Sequence, residues 1–120
     1  MPNNGQQNDL SQGNISEMLQ KNSEALHIPR DTYVKIVTAS INECTLDLPI
    51  LEEAISEGSF DSIGPIAHKL KGVFGNLKLT SLETPAIEID SLAKNKRGIE
   101  EIKENFIQFK KAFEKIKEKL

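Results

Sequence analysis

The sequence is poor in cysteine, and this limits the sites it can build. Cys44 is the only cysteine among 120 residues, so no disulfide can form within the chain. The cysteine and histidine residues do not cluster at the spacing of zinc ligands, and no metal site is expected. The sequence therefore fits a reducing compartment.

Long apolar runs and a net positive charge are also missing. The apolar runs are too short for a transmembrane helix, and residues 1–14 lack the basic and apolar regions of a signal peptide, so we expect a cytoplasmic protein without a membrane partner. Fifteen Lys and Arg against eighteen Asp and Glu give a formal charge of −3. Nucleic-acid binding needs a net basic surface, and it is not expected here. A protein partner is favoured.

The N-terminal residues differ in composition from the rest. Residues 1–13 are mostly Asn, Gln, Gly and Ser, and we predict a disordered arm, because so little apolar surface cannot offset the entropy of ordering. Residues 14–120 are predicted to form a single domain with one modest core. A short first helix is expected to begin at Asn14, because Asn14 and Glu17 have the spacing of a capping box.

Four longer amphipathic segments follow. Apolar residues recur every three or four positions from about Pro29 to Ile55, where Pro49 predicts either a kinked helix or two stacked helices. Further helices are predicted from Ser59 to about Leu79, from Thr80 with a capping box to Glu83, and after Gly98. No segment has the period of a strand. We therefore predict an all-α fold, an antiparallel up-down four-helix bundle with a short additional N-terminal helix. The predicted core includes Ile41, Leu51, Ile66, Leu70, Phe74, Ile89, Phe106, Phe109 and Phe113.

His68 does not fit a simple bundle, because it lies about 150° from the centre of the apolar stripe of its helix. Gly64, Gly72 and Gly75 stand four residues before it, four after it and seven after it, and each glycine costs a helix interior roughly 1 kcal/mol relative to alanine. An outward imidazole among glycines predicts a surface that another protein's backbone can approach closely. The alternative is a frayed helix start at Gly64 and a close packing contact at Gly75.

The chemistry of this face suggests phosphoryl transfer. An imidazole nitrogen is a good nucleophile for a phosphoryl group, and the ammonium of Lys71, one turn further on, can offset the added negative charge. The sequence has no nucleotide-binding loop and no acidic cluster typical of a magnesium site. Any nucleotide or metal would therefore have to come from a partner.

The run from Ala67 to Gly72, AHKLKG, resembles the H-x-L/I-K-G phosphorylation motif of histidine-containing phosphotransfer (HPt) domains. The resemblance extends over roughly residues 30 to 118. It implies a phosphoryl carrier of a multistep phosphorelay, without kinase activity of its own, that accepts from the aspartate of one receiver domain and donates to another. The implied partners are receiver domains of a hybrid sensor kinase, a response regulator or both. A monomer without cofactors is expected, with magnesium held by the receiver.

The resemblance also assigns residues. His68 would be the phosphoacceptor, Lys71 would support the phosphoryl charge, and Gly72 would leave the gap that admits the receiver. We predict that Gly64, Lys69 and Gly75 complete the docking surface. The second histidine, His27, lies at a helix boundary without a partner at ligand spacing and is given no role.

The chain departs from the family pattern at several positions. Lys78 stands where the family often has glycine, and Phe74 where it often has a small residue. Asp90 stands where several members have a glutamine that hydrogen-bonds the imidazole. A carboxylate there could accept the ring N–H but would repel a phosphorylated ring, so Asp90 is not included among the predicted site residues. The alternative function is a helical adaptor that binds receiver or helical partners without carrying phosphate.

Overall fold

The computed structural model describes residues 12–120, and this part of the chain consists of helices and short turns without a strand. The five helices are α1 (Gln12–Ala25), α2 (Arg30–Ser56), α3 (Phe60–Asn76), α4 (Thr80–Lys94) and α5 (Ile99–Glu118). The predicted all-α class is confirmed. The predicted disordered arm lies mostly outside the described residues, and α1 already includes Gln12 and Gly13. None of these five helices is both long enough and apolar enough to cross a bilayer.

Pro49 lies inside α2, which continues through it as one helix to Ser56. Two separate stacked helices are therefore excluded. Proline removes one backbone hydrogen bond from a helix interior. The buried side chains of Leu48 and Leu51 on either side of Pro49 keep α2 packed against the core.

The predicted helix caps are largely wrong. Asn14 lies within α1, and Thr80 is the first residue of α4, which is preceded by Leu79 in the N-cap position. Ser59 does occupy the N-cap of α3, but its hydroxyl group contacts the hydroxyl of Ser62 at 3.1 Å and no backbone N–H. The helices form without these side-chain caps, because burial of their apolar faces dominates their stability.

The first four helices end in the same kind of turn, which is a Schellman motif. In each turn a residue with positive φ follows the helix, and the next N–H bonds back to a carbonyl five residues earlier, as Leu79 N–H does to Phe74 at 2.9 Å. Only Gly58 among these four residues is a glycine. The other three are His27, Lys78 and Lys96, with φ values of 57°, 61° and 53°.

The core runs along the bundle and contains the predicted residues, with one exception. Ile66 is only partly buried, because its position lies at the edge of the apolar stripe of α3. Phe109 lies between Phe74 and Phe113, with ring centroids 6.0 Å and 6.3 Å away. These rings join α3 to α5 through the middle of the core.

The helix contacts show how α2 to α5 enclose this core. Each of these helices contacts the next one along the chain, α5 also contacts α2, and α1 packs on α2. The antiparallel up-down order of the helices stays a prediction. The contact between α3 and α4 is the most extensive, and it places the surface of α4 beside His68.

Candidate functional site

His68 lies in the middle of α3 with 64% of its side chain exposed. This exposure agrees with its predicted place on the outer face of the helix. The ring is open to an approaching partner on one side, and its other side faces α4.

Asp90 on α4 lies beneath this ring. It is only 3% exposed, and its Oδ2 atom is 3.5 Å from His68 Nδ1. When Nδ1 carries the ring proton, it donates to this carboxylate, and Nε2 then holds the free electron pair. The contact therefore favours Nε2 as the nucleophilic atom.

Two lysines approach the same carboxylate oxygen. Lys71 Nζ donates to Asp90 Oδ2 at 2.8 Å, and Lys94 Nζ lies 3.5 Å from the same atom. The other oxygen, Oδ1, is buried and has no hydrogen-bond partner within the described residues. A buried carboxylate is costly unless it is paired, and the two ammonium groups supply that pairing. Together the three groups carry a net positive charge next to the imidazole.

The pKa of Asp90 is lowered by its partners. Burial by itself raises the pKa of this carboxyl, but hydrogen bonds from Lys71 and His68 and the charges of Lys71 and Lys94 outweigh it. The carboxylate is therefore ionised throughout the neutral range.

Asp90→Asn should make the stability of the protein less dependent on acid pH. The pKa of the Asp90 carboxyl is lower in the folded protein than its ordinary value of 3.8. The carboxylate therefore stabilises the fold fully at a pH above 3.8, and this contribution is lost as the pH falls through the pKa of the folded state. Thermal unfolding of both proteins from neutral pH to about pH 2 would measure the effect. The two midpoints should differ most at neutral pH and converge below about pH 4, whereas parallel curves would contradict the pairing.

The three glycines around His68 have different surroundings. A Cβ atom added at Gly72 would meet nothing within 4 Å, so this position is open. One added at Gly64 would touch Ala93 at 3.9 Å. One added at Gly75 would lie 2.6 Å from Glu83 Oε2, the end of a flexible side chain that would have to move aside.

The ammonium group of Lys69 lies toward α2 and not toward α4. Its Nζ atom donates to Asp47 on α2 at 3.0 Å and lies 3.4 Å from Glu43. The structure therefore brings together His68 and Lys71 toward α4, with Gly72 beside them, while the ammonium of Lys69 is held toward α2.

A groove of about 430 Å³ opens beside the imidazole, between the first half of α3 and the end of α4. Phe60, Pro65 and Ala93 give it an apolar floor, and Lys94 and Lys96 add basic groups at its edge. The sequence did not predict this groove, because its residues come from two helices and from the turn after α4. The only local signal is the four-residue spacing from Asp90 to Lys94, which pairs them on one face of α4.

The side chains described in residues 12–120 include no group of three or more His, Cys, Asp or Glu residues that could hold a metal ion. Asp90 is the carboxylate in contact with the imidazole, and two ammonium groups already lie on one of its oxygens. The arrangement can present one nucleophilic nitrogen, with basic groups next to it.

The chain was compared with known proteins. The sequence model of the Hpt domain matches residues 35–119, which include α3, α4 and the whole of the site. Searches of curated proteins and of solved structures returned no significant match. The family match covers well over half of the chain, so the chain belongs to the histidine-containing phosphotransfer (Hpt) domain family, whose members carry phosphoryl groups in phosphorelay signalling and are not kinases.

Proposed function

We propose that His68 accepts a phosphoryl group from the aspartyl phosphate of one receiver domain and passes it to the aspartate of another. The observation that carries this proposal is an exposed imidazole whose Nδ1 faces a buried carboxylate, Asp90, and whose neighbouring cation, Lys71, shares that carboxylate. The partners would be receiver domains of a hybrid sensor kinase, a response regulator or both.

The acceptance step uses the free electron pair of Nε2. Nε2 attacks the phosphorus of the aspartyl phosphate, a P–N bond forms, and the P–O bond to the receiver aspartate breaks with its electron pair returning to that carboxylate. The proton on Nδ1 stays in place, facing Asp90. Donation to the second receiver is the reverse of this step.

The charge around the ring suits an incoming phosphoryl group. Lys71 and Lys94 lie on Asp90 beside the ring. Lys96 lines the same groove and lies 3.5 Å from Asp61, so three ammonium groups and two carboxylates leave a net positive charge near His68. Phosphoryl transfer depends mainly on positioning and on charge compensation. We propose that Lys71 supplies this compensation on the protein side and that the receiver's magnesium supplies it on the other. A cofactor-free monomer, a cytoplasmic location and an antiparallel up-down bundle remain part of the proposal.

Transfer of labelled phosphate tests the proposal against the adaptor alternative. The protein is incubated with a receiver domain charged with radioactive phosphate and magnesium, separated from it, and treated with acid and with alkali. A phosphoryl carrier takes up label that is lost in acid and retained in alkali. An adaptor binds the receiver in a pull-down but takes up no label, and that result would overturn the proposal.

Bulky side chains at Gly72 should block transfer without harming the fold. The position is open in the free protein, so Gly72→Ala should raise the free energy of unfolding by up to about 1 kcal/mol, because alanine favours a helix. Gly72→Gln and Gly72→Arg should change stability little. Transfer requires in-line approach of the receiver to His68, and it should slow in the order Ala, Gln, Arg.

Gln108→Arg is the matched control, because Gln108 is an exposed residue on α5, outside the site. It adds the same side chain and should leave transfer unchanged. Urea unfolding and the initial rate of label uptake are measured for every variant. Uptake at the wild-type rate by Gly72→Arg would show that the receiver docks elsewhere.

A further inference from the structure

We propose that the buried carboxylate of Asp90 keeps Nδ1 of phosphorylated His68 protonated, so that the ring leaves as neutral imidazole when the phosphoryl group moves on. This inference rests on the proposed function and assigns Asp90 as a positioning residue for the donation step. The repulsion expected between a carboxylate at this position and a phosphoryl group is offset by Lys71 and Lys94, which both lie on Asp90 Oδ2.

The geometry leaves Asp90 as the nearest anion to the ring. Its Oδ2 atom is 3.5 Å from Nδ1, and the side chain is buried between α3 and α4, where water screens its charge poorly. The charged groups that face the ring from α3 and α4 are Asp90, Lys71 and Lys94. The next ones are Lys96 and Asp61 at the groove, both exposed and 3.5 Å from each other.

The carboxylate can serve the ring and the lysines together. The contacts of His68, Lys71 and Lys94 all fall on Oδ2, while Oδ1 is buried without a hydrogen-bond partner in the described residues. The ring nitrogen and both ammonium groups therefore share one oxygen atom of the carboxylate, which lies next to a ring that gains positive charge when both of its nitrogens are substituted.

The protonation state of Nδ1 decides how easily the P–N bond breaks. With Nδ1 unprotonated, cleavage would have to release imidazolate, which is a poor leaving group. With Nδ1 protonated, the bond from the receiver carboxylate to phosphorus forms, the P–N bond breaks, and its electron pair returns to Nε2 of a neutral imidazole. No proton has to be transferred, because the Nδ1 proton stays in place throughout.

A neutral amide at position 90 would still accept a hydrogen bond from the ring, but it would favour the protonated ring less than the carboxylate does. An amide oxygen accepts the N–H in the same place, but it lacks the charge that stabilises a cationic ring. Asp90→Asn is therefore expected to give a phosphorylated protein that forms normally but donates slowly. Without the carboxylate, the ammonium groups of Lys71 and Lys94 would face the ring with no anion to offset them, so donation near pH 8 should slow by about tenfold or more.

The experiment measures ring protonation and donation on the phosphorylated proteins. Wild type, Asp90→Asn, Asp90→Glu and Glu88→Gln are phosphorylated with a charged receiver and isolated. The ring nitrogens of His68 are followed by 15N NMR from about pH 6 to 9, around the ordinary titration range of histidine. Transfer to fresh receiver is timed at pH 8. Glu88 is exposed on the same helix, so Glu88→Gln removes one negative charge without touching the ring contact.

We expect the wild type and Glu88→Gln to stay protonated at Nδ1 at pH 8 and to donate at equal rates. Asp90→Asn should lose the proton at lower pH and donate slowly, and Asp90→Glu should recover part of the rate. An unprotonated Nδ1 in the phosphorylated wild type at pH 8 would by itself overturn the inference. Equal Nδ1 protonation and equal donation rates in Asp90→Asn and Glu88→Gln would also overturn it. Failure of the wild type to take up any phosphate would instead refute the proposed function.

Discussion

His68→Gln is expected to abolish phosphoryl uptake and leave the melting temperature almost unchanged. The side chain is 64% exposed and its one polar contact, to Asp90, is a long one at 3.5 Å. Exposed side chains contribute little to stability, whereas a glutamine amide has no nucleophilic nitrogen to receive phosphate. Uptake of label from a charged receiver measures the first effect, and thermal unfolding at neutral pH measures the second.

His27→Gln serves as the control for this variant. His27 is the other histidine of the chain, and it lies in the turn after α1, where it has a φ of 57°. This substitution should leave phosphoryl uptake at the wild-type level. Acid-labile label that persists on His68→Gln and disappears in the double variant would identify His27 as the acceptor and refute the assignment of His68.

Phe109→Ala is expected to lower the free energy of unfolding by roughly 3–5 kcal/mol, because it removes a large buried ring and leaves a cavity. Phe109 is 1% exposed and packs against Phe74 of α3 and Phe113 of its own helix. Partial collapse of the surrounding rings would reduce the loss toward the lower end of this range. Urea unfolding at fixed pH and temperature gives the value.

Ile107→Ala is the matched control on α5, because the Ile107 side chain is 51% exposed. Its effect should be within about 0.5 kcal/mol, as for other surface substitutions. A loss below about 1 kcal/mol for Phe109→Ala would mean that the ring does not hold α3 and α5 together. Phosphoryl uptake by Phe109→Ala should persist well below its melting temperature, since His68 lies outside this cluster.

The helices could be predicted from the sequence because their apolar residues repeat with the helical period, as from Tyr33 to Ile55. The turns were harder to predict. Three of the four Schellman turns place His27, Lys78 or Lys96 in a conformation that normally favours glycine. Residue preference is a weak guide there, because the packing of the helices on either side decides the turn.

Only part of the candidate site could be predicted from the sequence. His68, Lys71 and Gly72 lie on one helix, so their spacing alone predicts that they share a surface. Asp90 lies 22 residues from His68, and its contact depends on how α4 packs against α3. The same holds for the ion pair of Lys69 with Asp47 on α2, and the docking role of Lys69 stays a prediction. Helical periodicity carries no information about such contacts between helices.

A domain taken from this protein for use in a fusion protein has to include helix α1. This helix precedes the family match, yet its residues Ile15 and Leu19 are buried in the core, and the Asn22 amide donates to the hydroxyl of Tyr33 and to the carbonyl of Lys78. Trimming the chain to the limits of the family match would remove Ile15, Leu19 and Asn22 together with Tyr33, and would leave the Lys78 carbonyl without its side-chain donor. A fusion partner or a sensor built from this protein should therefore be joined ahead of α1, so that the turn leading into α4 keeps its anchor.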